Sequence, residues 1–195
     1  MNDIINNVVA LTLPMIIVSI VVILLLRIRY LYKNKIHFTL YKELFYLASI
    51  VYVLALFQVV TQGDVVSWSS NNFIPFKEIF RYRLFSRLFI KNVLGNIIMF
   101  LPFGFFASYY LKSDNYKEAT IMALITSITI ECVQMMIGRV FDVDDIILNT
   151  LGGFIGFYFY YICHIISEKI PNIFRNELFL DFLAILFLLG VLSLL

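Results

Sequence analysis

The sequence predicts an all-α, polytopic integral membrane bundle of about six transmembrane helices. Three observations carry that class. Of the 195 residues, 62% are hydrophobic and only 14% are charged, well under the roughly 25% of an ordinary water-soluble domain. Several apolar runs reach the roughly 20 residues that a helix needs to cross a bilayer. No run shows the alternation of a barrel strand, and an open chain in lipid must satisfy its backbone hydrogen bonds internally, which leaves helices. Residues 1–195 read as one membrane domain.

The first helix is expected at about Val8 to Leu26, ahead of the basic stretch RIRYLYKNKIH. The opening MNDIINNVVALTLPM has no basic leader and no small-residue cleavage site, so it reads as a membrane helix and not a secretory signal. The second helix is expected at about Glu43 to Val60. The third is expected at about Val93 to Tyr110, with Pro102 and Gly104 inside it and a kink at the proline. The fourth runs from about Ala119 to Ile137, the fifth from about Asp145 to Ile166, and the sixth from about Leu178 to Leu195. The middle four form a core flanked by the N- and C-terminal helices. Cys132 and Cys163 fall on different helices and read as small apolar packing residues, not a disulfide.

Lysine and arginine set the orientation. Nine lie on one side (Arg27, Arg29, Lys33, Lys35, Lys42, Lys112, Lys117, Lys169 and Arg175) and six on the other. The richer side is expected to be cytoplasmic, which puts both termini outside the cell. The poorer side holds a basic loop of its own, NNFIPFKEIFRYRLFSRLFIKN, in which Lys77, Arg81, Arg83, Arg87 and Lys91 are interleaved with five phenylalanines. Apolar and basic residues do not segregate on a helical projection of this loop. Short broken helices at the membrane interface, or a re-entrant piece, are therefore expected, with aromatics in the headgroup layer and cations on phosphates. Two readings stand for the cations: a general anchor on anionic lipid, or a dedicated anionic head-group site.

Polar side chains then gather at the same side. Glu131 lies in the fourth helix, with Gln134 at i+3 and Gly138 at i+7, so all three are expected near one face. An ionised group near the bilayer centre costs about 2.5–3.5 kcal/mol, so such residues usually face a bundle interior and mark a site. Asp142, Asp145 and Asn149 recur at i, i+3 and i+7, one face of a helix; Gly156 continues the stripe with Gly152 and Gly153 beside it, and Gly152 and Gly156 make a small-residue pair suited to close helix packing. Helix capping accounts for Asp142 or Asp144 equally well. Asn92 and Asn96 share a face of the third helix, where hydrogen bonds between helices are the plainer reading. Together, Asn92, Asn96, Glu131, Gln134, Arg139, Asp142, Asp145 and Asn149 are expected to converge in one outward-facing polar cavity that binds a ligand.

What is missing narrows the chemistry. There is no His/Cys cluster for zinc, no phosphate-binding glycine loop, and no GxSxG or HExxH. No metal and no cofactor are expected, and no nucleic acid. The candidate acid–base residues are Glu131 and Asp145, with no obvious nucleophile beside them.

At these residues the chain resembles the VanZ-like family of small bacterial membrane proteins. Three blocks carry the resemblance: NFIPFKEI, NVLGNIIMFLPFGF and SITIECVQMMIGRVFDVDDIILNTLGGFIGF. They hold Asn-x-x-Gly-Asn with a following Pro-x-Gly, Glu-x-x-Gln, and Arg-x-x-Asp-x-x-Asp-x-x-x-Asn-x-x-Gly, within a family-like core of about residues 43–166. The resemblance implies a role in resistance to the glycopeptide antibiotic teicoplanin, without the altered peptide terminus made by other resistance enzymes. Its polar signature lands on the eight residues already grouped.

The function expected is that of a non-enzymatic envelope protein. It would bind a lipid-linked cell-wall precursor or a lipoglycopeptide from the outer leaflet, among the membrane lipids. The alternative is a membrane enzyme that modifies an envelope lipid, with Glu131 or Asp145 as acid or base and Arg139 stabilising an anion.

Overall fold

Apolar runs of this length have one way to satisfy their backbone in lipid, and the chain takes it. The computed structural model describes residues 2–61 and 71–192, which are helical apart from short connections. Helix α1 spans Asn2–Asn34 and α2 spans Leu40–Thr61. A short α3, Lys77–Arg81, precedes α4, Arg87–Leu111, which loosens to a π pitch over Ile90–Leu94. Helices α5, Tyr116–Met136, and α6, Val143–Lys169, follow. A 3-10 turn at Asn172–Arg175 leads into α7, Glu177–Leu192.

Among the described residues, four segments are long and apolar enough to cross a membrane: Leu40–Gln58, Arg87–Leu111, Tyr116–Met136 and Val143–Lys169. They are the second to fifth helices expected from the sequence. The first and sixth expected segments are also helical. The far end of the sixth, residues 193–195, lies outside the described residues, and a bilayer crossing by either flanking helix rests on the sequence alone. The protein is a multi-pass helical membrane protein.

The chain divides into two compact units, Met1–Gln58 with Ser167–Leu195, and Val59–Ile166. In the first unit, polar contacts join α1, α2 and α7. Arg27 donates from Nε and Nη2 to the two carboxylate oxygens of Glu43, at 2.8 and 3.0 Å, and its guanidinium lies 4.6 Å from the Tyr46 ring centre. Lys42 pairs with Glu177 at 2.6 Å, and the Tyr41 amide donates to Asp181 at 2.9 Å. The bidentate fork on Glu43 fixes two helices in direction as well as distance.

The second unit is built on α4, α5 and α6, which meet through small residues. A Cβ on Gly104 would overlap the Gly153 carbonyl, and one on Gly153 would overlap Ala123. A Cβ on Gly152 or Gly156 would overlap the carbonyl of Ile97 or Leu101. The expected small-residue pair, Gly152 and Gly156, thus packs α6 on the α4 backbone, while Gly153 faces both α4 and α5. Without a hydrophobic drive between helices in lipid, this close approach is what holds them. Helix α4 continues through Pro102.

A polar end on three helices

Helix direction decides where the polar residues meet. Helices α5 and α6 are antiparallel neighbours joined by a turn over residues 137–142. Gly138 takes φ 83°, a region that favours glycine, and the Arg139 amide returns to the Gln134 carbonyl at 2.9 Å. The C-terminal end of α5 therefore lies beside the N-terminal end of α6, and Asn96 brings the start of α4 to the same place. Gly138 belongs to this turn and not to the helical face that carries Glu131 and Gln134, because α5 stops at Met136.

Asp142 lies one residue before α6. Its Oδ1 accepts from the Asp144 amide at 2.9 Å and from Asn72 Nδ2 at 2.8 Å. An aspartate ahead of a helix satisfies amides that have no partner within it, so the capping reading holds for Asp142 and the helical stripe begins later than expected. Burial pushes the Asp142 carboxyl above the ordinary aspartate range, opposed by the bonds from Asn72 and the Asp144 amide. The Asp142 amide donates to Glu131 Oε2 at 2.9 Å. Glu131 is 1% exposed.

Asp145 and Asn149 do share a face of α6. Asn96 Nδ2 donates to Asp145 Oδ1, which ties α4 to α6. Asn149 is 2% exposed and donates from Nδ2 to Ser127 Oγ of α5 at 2.9 Å. Gln134 is buried. Arg139 is half-buried in the turn, and its charge acts on both Glu131 and Asp145. Asn92 does not join this group: it lies in the π segment and donates to the Tyr82 hydroxyl at 2.8 Å.

The residues ahead of α4 form a strap across this end. Asn72 makes a parallel bridge with Asp142: its amide donates to the Phe141 carbonyl at 2.8 Å, and its carbonyl accepts from the Val143 amide at 3.0 Å. Phe73 stacks on Phe141, ring centres 5.3 Å apart. Asp144, 1% exposed, then accepts from three strap amides: Phe76 at 2.5 Å, Glu78 at 2.7 Å and Ile79 at 3.1 Å. It caps α3 from another helix, which helps the chain hold Phe76 at φ 66°, an uncommon conformation for an aromatic residue. Lys77, Arg81, Arg83, Arg87 and Lys91 are all exposed on the strap and the start of α4, alongside exposed Phe80, Leu84 and Phe85. Arg81 pairs with Glu78 at 3.0 Å. The loop is broken up as the sequence suggests, into α3 and the turns on either side of it.

The structure thus brings Asn96, Glu131, Asp142, Asp145 and Asn149 to one end in three separate hydrogen-bonded pairs, Glu131–Asp142, Asn96–Asp145 and Asn149–Ser127, with Gln134 before the turn, Arg139 in it, and Asn92 on α4, bonded to the strap's Tyr82. Sequence reasoning missed Asn72, Tyr82 and Ser127 and gave Asp144 no long-range partner. Both described cysteines are free. Among the described residues, no three His, Cys, Asp or Glu side chains are grouped as metal ligands.

This fold and site define a class: multi-pass helical membrane proteins with a polar end shared by three adjacent helices under a cationic, aromatic strap. The chain belongs to the VanZ/LLP1 family, whose family-wide pattern matches residues 43–164. It is also 33% identical over 72 residues to Protein VanZ of Enterococcus faecium. That match covers 36% of this chain and 44% of the relative's length. No solved structure matches the chain.

Proposed function

We propose that this VanZ-like protein binds an amphiphilic, anionic ligand from the outer leaflet of the cell envelope, a lipid-linked cell-wall precursor or a lipoglycopeptide, and thereby contributes to glycopeptide resistance of the teicoplanin type. The observation that carries the reading is the joining of Glu131, Asp145 and Asn96 at one end of three helices, directly beneath a strap of exposed cations. Lys77, Arg81, Arg83, Arg87 and Lys91 would meet phosphate by charge-assisted contacts. The carboxylates and amides below would select hydroxyl and amide groups. In this reading the polar end faces outward, as the loop charges predict.

The experiment is a comparison of wild type with Glu131→Gln and Asp145→Asn at matched membrane levels. Both are expected to lose protection against a lipoglycopeptide, and native mass spectrometry of the purified proteins is expected to show a lipid-linked precursor retained by wild type only. Unchanged protection and retention in both variants overturn the reading. A second reading, an envelope-lipid-modifying enzyme, draws on the mutual proximity of Glu131, Asp145 and Arg139. Product formation from a lipid-linked precursor by purified protein separates it from simple binding.

A further inference from the structure

Ser127 lies four residues before Glu131 on α5, and Asn149 four residues after Asp145 on α6. Because the two helices are antiparallel, both steps lead the same way, one turn deeper from the polar end. The Asn149–Ser127 hydrogen bond joins them into a second rung below the carboxylates. This rung is deeply buried: Ser127 is 0% and Asn149 2% exposed. Beyond it the same face of α6 continues as glycines packed on helix backbone.

One atom of this rung is unaccounted for. Asn149 Oδ1 is buried and meets no hydrogen-bond partner among the described residues. A buried acceptor without a donor costs about 1–3 kcal/mol, so such an atom in a packed interior calls for a donor. Asp145 stands one turn above it on the same face. It accepts one bond, from Asn96, while a carboxylate has room for several. Among the described residues, the acids Glu131 and Asp142 and the base Arg139 lie within electrostatic reach of Asp145. The missing partner is therefore a donor, and the local charge favours a cation.

Side chains at i and i+4 of a helix are neighbours, with Cβ atoms about 5–6 Å apart. One ammonium group could therefore donate to an oxygen of each, with contacts of about 2.8 Å. We propose that Asn149 Oδ1 and Asp145 form a subsite for a small monovalent cation, either the primary ammonium group of a ligand or an alkali ion. This deepens the reading of the polar end as a ligand site and rests on it: the ligand would present phosphate to the strap and a positive group to the deeper rung.

The test is a thermal-stability titration of the full-length protein in mild detergent, without added lipid ligand. Sodium chloride and ethylammonium chloride are the probes, at an ionic strength held constant with tetramethylammonium chloride, which has no N–H to donate. The expected result is a saturable rise in Tm, about 3–6 °C at ten times the half-saturating concentration. Asn149→Leu is expected to abolish it, and Asn149→Asp, which keeps an oxygen there, to retain it. A response to ethylammonium alone assigns the subsite to a ligand amine, and a response to sodium assigns it to an ion. A flat wild-type titration with both probes overturns the proposal whatever the variants do, as does a response that survives in Asn149→Leu. Lipid retention is read separately by mass spectrometry, so a flat titration with retention intact removes the subsite and leaves the wider ligand reading standing.

Discussion

Asp144 and Phe76 lie 68 residues apart, yet the Phe76 amide donates directly to the Asp144 carboxylate. With the amides of Glu78 and Ile79 on its other oxygen, Asp144 fastens the strap to α6. Hydrogen bonds to a charged acceptor contribute about 1.5–3 kcal/mol. Asp144→Asn, which keeps one acceptor oxygen and loses the charge, is expected to destabilise by about that amount and to release the strap first. Limited trypsin digestion checks it: cleavage after Arg81 or Arg83 should speed up well before global unfolding, and an unchanged rate would show that the clasp is dispensable.

The glycine contacts make a sharper prediction. At Gly104 an added methyl would meet the Gly153 backbone, which has no flexible end to move aside. Overpacking of this kind costs about 1–3 kcal/mol or more, so Gly104→Ala is expected to lower Tm by several degrees. Gly95→Ala is the control, since a Cβ there meets only an ordinary 3.7 Å contact. Equal effects at the two positions would argue against close packing at Gly104.

Asp142 gives the protein a pH dependence whose sign follows from burial. Its folded-state carboxyl titrates above the ordinary value of 3.8, so the folded state holds the proton more tightly than the unfolded chain. The associated stability is fully present below pH 3.8, declines as pH rises above it, and is gone once pH passes the folded-state value. Asp142→Asn keeps a cap acceptor and removes the titration. Urea or thermal unfolding across mildly acidic pH is expected to show a smaller pH slope in the variant than in wild type.

The strap cations predict lipid selectivity. Each basic residue near an anionic surface contributes about 1 kcal/mol at moderate salt. Replacing Arg81, Arg83 and Arg87 with glutamine is expected to erase most of the preference for phosphatidylglycerol over phosphatidylcholine in the lipid that co-purifies, with little change in Tm. A preference that persists, or that does not weaken in high salt, would place the lipid contacts elsewhere.

The sequence made some of this plain and hid the rest for identifiable reasons. Period and length marked the four long helices, and the i, i+4 spacing put Asp145 and Asn149 on one face. The sequence stripe runs through Asp142 because aspartate fits both a helical face and a cap, and the Asp144 amide on its Oδ1 makes it the cap. Asp144 sits off the stripe, and its partners are backbone amides 65 to 68 residues away, which no local pattern encodes. Ser127 looked like any small residue in an apolar helix until Asn149 was seen opposite it. Asn92 lies on α4 where the spacing puts it, but its amide pairs with Tyr82, a strap residue no periodicity argument reaches, and not with the acids.

The clasp at the start of α6 also has a consequence for biosynthesis. Asn72, Phe76, Asn96, Ser127 and Glu131 all emerge from the ribosome before the residues that complete their hydrogen bonds, which lie between Phe141 and Asn149. Until that nine-residue span is made, the nascent chain carries an acid, two amides and a loose cationic loop with no mates. Its arrival closes them together. The second unit therefore cannot make these bonds until that span has been translated, and a chain stalled before Phe141 would leave every one of them unmade.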